Sequence, residues 1–133
     1  MVGAEFRIGG IPASWQIFPV PQPDMISLGN AFEDGVSAAF TSCPRPETGV
    51  VLFYRALVLA SELESDLQFT VEKRDPPTNP LLQCPLIVLC DFPFTLICVE
   101  GLPCHVNSTS PRTCGIPVAV TTATWSAMKE LYR

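Results

Sequence analysis

Residues 50–66 read VVLFYRALVLASELESD, and the fold class turns on whether they wind or extend. As a helix they would align Leu52, Ala56, Leu59, Leu63 and Leu67, the spacing of an amphipathic face. That helix would also gather Glu62, Glu64 and Asp66 at its C-terminal end, where the helix dipole is negative and repels carboxylates. An extended chain carries no such conflict. The preferred reading is a strand from about 50 to 60, a turn through Ser61–Ser65 and a strand from about 67 to 74. In Gln68–Glu72, alternation then puts Phe69 and Val71 on one face.

Proline supports the extended reading over the rest of the chain. There are 14 prolines, and each one in a helix interior costs about 3 kcal/mol, because it lacks the N–H and clashes with the preceding turn. Only two windows, 47–75 and 118–133, are free of proline for long enough to hold a helix. Short apolar runs punctuated by turn residues are the signature of an all-β sandwich or barrel. The start of the chain, Glu5-Phe6-Arg7-Ile8, alternates. Residues 117–125 are rich in β-branched side chains, and Leu86–Cys90 and Thr95–Val99 are continuous apolar runs. The expected fold is an antiparallel sandwich or barrel, jelly-roll-like being one form it can take. A short C-terminal helix is expected to open at Ser126. PVPQP at 19–23 and DPPTNP at 75–80 read as rigid loops, and Glu33-Asp34-Gly35 as a turn. With no repeat and no linker, residues 1–133 are expected to form a single β-rich domain.

Composition excludes more than it assigns. The chain has 13 acidic and 8 basic side chains and a net charge of −5. Its closest basic pair, Lys73-Arg74, is flanked by Glu72 and Asp75. Neutralising phosphates takes clustered Lys and Arg, so nucleic acid is not expected as the primary ligand. Charged residues make up only 16%, against roughly 25% in an average domain, so part of the surface is expected to be covered. No apolar run approaches the ~20 residues of a membrane span. The N-terminus carries Glu5 and Arg7 where a signal peptide needs an uninterrupted apolar region. That favours an intracellular or virion setting, unless a signal lies outside this sequence.

The densest chemistry is CDFPFTLICVEGLPCHVNSTSPRTC at 90–114, which holds four of the six cysteines and the one histidine. Structural zinc favours closely spaced pairs such as Cys-x2-Cys, because a short turn brings two ligands to one ion. Here the spacings are Cys84-x5-Cys90-x7-Cys98-x5-Cys104-x9-Cys114. Adjacent Cys104 and His105 would also point to opposite faces of an extended segment. No metal and no cofactor is expected. A catalytic thiol needs a base, and His105 reads as a loop histidine beside Cys104. The usual catalytic motifs are missing from the sequence, so no catalytic residue is assigned. Free thiols, with Cys90 and Cys98 as small apolar core residues, are the expectation in the absence of a signal. The rival is a disulfide framework drawn from Cys90, Cys98, Cys104 and Cys114. It would have a hairpin placing Cys90 opposite Cys98, and a loop closed between Cys104 and Cys114. In a secreted chain Asn107-Ser108-Thr109 is a glycosylation acceptor.

The functional expectation is a non-enzymatic structural or assembly protein acting on protein partners, with a homo-oligomer favoured. Viral coat, protruding and matrix domains are β-domains compatible with this composition, an analogy of fold alone. The alternative is a secreted, disulfide-stapled binding module, and a small enzyme ranks third. The association face is expected to come from Val50–Ala60 and Leu86–Val99, across which only Arg55 and Asp91 carry charge. Trp15, Phe92, Phe94 and Trp125 are the candidate anchors, because aromatic residues supply much of the energy at interfaces.

Overall fold

A computed structural model describes residues 2–44, 51–91, 95–101 and 103–109. The described residues form antiparallel strands and no helix: β1 (Gly3–Gly9), β2 (Gln16–Pro19), β3 (Met25–Asn30), β4 (Gly35–Phe40), β5 (Ala56–Leu59), β6 (Leu67–Glu72), β7 (Leu86–Val88), β8 (Leu96–Cys98) and β9 (Cys104–Val106). The all-β antiparallel expectation holds. The C-terminal helix and the 117–125 run lie outside the described residues.

β1 organises the larger, seven-stranded sheet. One of its sides pairs with β4, which in turn pairs with β3; the other meets β7 through Gly3–Glu5 and then β6 through Arg7–Gly9. β8 extends β7, and β9 extends β6. The hand-over from β7 to β6 is secured by a cross-strand pair of opposite charges, Arg7 facing Glu72, whose side chains hydrogen-bond. β2 and β5 form a separate two-stranded ribbon.

The period-2 alternation of strands sorts the side chains of this sheet onto two faces. The inner face carries Ala4, Phe6, Val36, Ala38, Phe40 and Ile87, and the core forms there. Residues 51–54 cross this face. Phe53 packs edge-on against Phe40 at 5.2 Å, and Tyr54 meets Phe6 at 5.8 Å and Phe32 at 6.1 Å. The deciding stretch is therefore extended, as the carboxylates at its end imply. Its strand is shorter than 50–60, because Phe53 and Tyr54 are spent on covering the core and only Ala56–Leu59 joins a ladder.

The turn expected at Glu33–Gly35 joins β3 to β4. It is opened by Asn30, whose Oδ1 accepts from the Phe32 N–H at 3.1 Å and whose carbonyl accepts from the Glu33 N–H at 3.1 Å. Gly35 closes it at φ +113°, and a Cβ there would lie 2.6 Å from Arg74 Cγ.

Candidate functional site

The outer face of the same sheet is unusual for a surface. One row of facing residues crosses five strands as Ile26 (β3), Ala39 (β4), Gly3 (β1), Val88 (β7) and Leu96 (β8). The next row is Leu28, Ser37, Glu5, Leu86 and Cys98. Small side chains sit in the middle and large ones flank them, so the face is a trough rather than a plane. Its volume is about 580 Å³. Ile26, Leu28 and Leu96 are 64%, 68% and 53% exposed. An antiparallel sheet with a solvated face should carry polar residues there, and the first of these rows carries none.

One end of the trough is polar. Glu5, only 9% exposed, stands at the boundary between the strands and the 75–80 loop. Its carboxylate accepts from the Thr78 backbone N–H at 2.9 Å, from the Thr78 hydroxyl, and from the Ser37 hydroxyl at 2.7 Å. Arg74 lies 3.9 Å away and donates to Ser37 Oγ and Thr78 Oγ1. Burial pushes the Glu5 carboxyl up, but the Thr78 and Ser37 hydrogen bonds and the Arg74 charge outweigh it and hold the pKa below the ordinary value. Glu5 is thus an ionised, satisfied carboxylate that ties the 75–80 loop to the sheet, not a general acid poised to give up a proton.

The cysteines depart from the free-thiol expectation. Cys43 bonds Cys90 across a sequence separation of 47, and Cys84 bonds Cys98 across 14. Cys104 is also disulfide-bonded, while Cys114 lies outside the described residues. Cys90 and Cys98 are not joined to each other. The β7–β8 ladder puts Cys98 opposite Leu86 and Val88 opposite Leu96. Cys90 thereby falls beyond the paired residues and reaches Cys43. His105 is not in a loop. It lies in β9 opposite Gln68, with Nδ1 3.5 Å from Asp66. Because Cys104 is bonded, no thiol stands beside His105 for it to activate. Among the described residues no cluster of three His, Cys, Asp or Glu side chains is arranged to hold a metal ion, and no helix is long and apolar enough to cross a membrane.

The expected association face is not assembled as drawn. β5 lies in the ribbon with β2, whereas β7 and β8 belong to the seven-stranded sheet. The partner of β7 and β8 in the trough is β3, a strand that hydrophobicity along the sequence did not single out, since MISLGN contains only three large apolar residues. Trp15 is half-buried, packs edge-on to Phe69 at 6.3 Å and does not line the trough. Phe92, Phe94 and Trp125 lie outside the described residues. Asn107 is exposed at the end of β9. No protein-family model, curated protein or solved structure matches the chain.

Proposed function

We propose that this protein is a non-enzymatic assembly protein that associates with copies of itself through the outer trough of its larger sheet. The observation that carries the reading is the uncharged row Ile26–Ala39–Gly3–Val88–Leu96, which crosses five strands and leaves large apolar side chains, Ile26 and Leu96, in water at its two ends. Contiguous exposed apolar surface of this kind marks interaction sites. The magnitude favours a reversible contact. Covering Ile26, Leu28 and Leu96 on each of two copies is worth on the order of 10 kcal/mol by transfer scales. Association itself costs roughly 4–15 kcal/mol in lost freedom. The two nearly cancel, so the assembly depends on concentration.

A second reading has its own support. The disulfides Cys43–Cys90 and Cys84–Cys98 suit a secreted module that presents the same trough to a different protein, since such bonds persist in oxidising compartments.

Sedimentation velocity across a wide concentration range tests the first reading. The wild type is expected to gain mass with concentration, and Ile26→Lys with Leu28→Lys to stay monomeric at an unchanged melting temperature. A wild type monomeric at every concentration refutes self-association.

A further inference from the structure

We propose that Asn107 is an N-glycosylation site. Three independent observations meet at this residue. Asn107-Ser108-Thr109 is the chain's one Asn-x-Ser/Thr triplet, since Asn30 is followed by Ala-Phe and Asn79 by Pro-Leu. The side chain is exposed on a sharp turn after β9, with φ at +52°. Every described cysteine is disulfide-bonded, the state of a chain that has passed through an oxidising compartment, which in eukaryotic cells is also where the glycan is added.

The local geometry accommodates the modification. Asn107 Nδ2 donates one hydrogen to the Glu64 carbonyl at 2.9 Å, and the amide has a second hydrogen. In the transfer Nδ2 loses one proton and bonds the anomeric carbon of the first N-acetylglucosamine, and the lipid diphosphate of the donor leaves. The remaining N–H still reaches Glu64, so the turn keeps its hydrogen bond. Asn107 follows β9, which pairs only with β6 and contributes no residue to the trough. The inference stands or falls without the association reading.

The test is to express the full chain in mammalian cells behind a cleavable signal peptide. Intact mass is measured on secreted and cell-retained pools, before and after peptide N-glycosidase. The wild type is expected to carry a heterogeneous sugar mass that the enzyme removes, with residue 107 then read as Asp in the peptide map. Thr109→Ala is expected to lose the sugar, and Thr109→Ser, which keeps the acceptor triplet, to retain it. An unmodified Asn107 in both pools of the wild type overturns the proposal. So does a sugar mass that survives Thr109→Ala.

Discussion

Glu5 is the residue on which local chemistry and fold meet most directly. It belongs to β1, yet its carboxylate binds Thr78, 73 positions along the chain. Glu5→Ala removes the acceptor and leaves the Thr78 N–H and the Arg74 charge without their buried partner. Orphaning such groups costs about 1–3 kcal/mol, so thermal melts should show a drop of several degrees. The pH dependence has a definite sign. The folded-state pKa is lowered, so the stabilisation is present above the unfolded value and disappears as pH falls through the folded value. Melting temperature should decline on acidification below the ordinary glutamate range, and less steeply in Glu5→Gln; equal slopes would show that Glu5 is not responsible. Gly35 makes a second residue-scale case. At φ +113°, with a prospective Cβ 2.9 Å from the Phe6 carbonyl oxygen, Gly35→Ala combines backbone strain with a clash. Strain of that kind is worth about 1–3 kcal/mol, and denaturant titration should show the midpoint fall by a corresponding amount.

Among the elements, the β7–β8 hairpin shows how a sequence pattern and a structure can agree on faces and differ on register. Pairing Cys90 with Cys98 and pairing Leu86 with Cys98 differ by an even number of residues, so either way each side chain keeps its face. Alternation has no means of choosing between them. The observed register sets Ile87 against Ile97 and frees Cys90 to link the hairpin to the end of β4 through Cys43. In the chain-entropy account, closing a loop with that separation of 47 stabilises by about 4 kcal/mol. Replacing both Cys43 and Cys90 with Ala should lower stability by a large part of that amount, and more than replacing Cys84 with Cys98. Equal losses for the two pairs would show that strain or packing, not loop length, dominates.

At the scale of the whole molecule, the trough exists because β1 lies between β4 and β7 and brings β3 and β8 to its two rims. Ala39 is exposed between those rims, which makes it a probe of the surface with little effect on the core. Ala39→Arg should change stability by no more than about 0.5 kcal/mol, as is typical of surface changes, and suppress any concentration-dependent mass. A large loss of stability instead would mean that the trough is covered within a single chain.

Proline spacing and the carboxylates at the end of 50–66 were enough to read the chain as antiparallel strands, because both act through local backbone sterics and dipoles. Of the trough's lining, Leu86–Cys90 and Thr95–Val99 were legible as continuous apolar runs. The contribution of β3 was not, because Ile26 and Leu28 alternate with Ser27 and Gly29 like any half-buried strand. Which cysteines pair, where Glu5 finds its partners, and that Leu57 and Leu96 fall in different sheets were decided by the tertiary structure. Each depends on contacts between residues far apart in the chain, and local periodicity carries no information about which distant strands will meet.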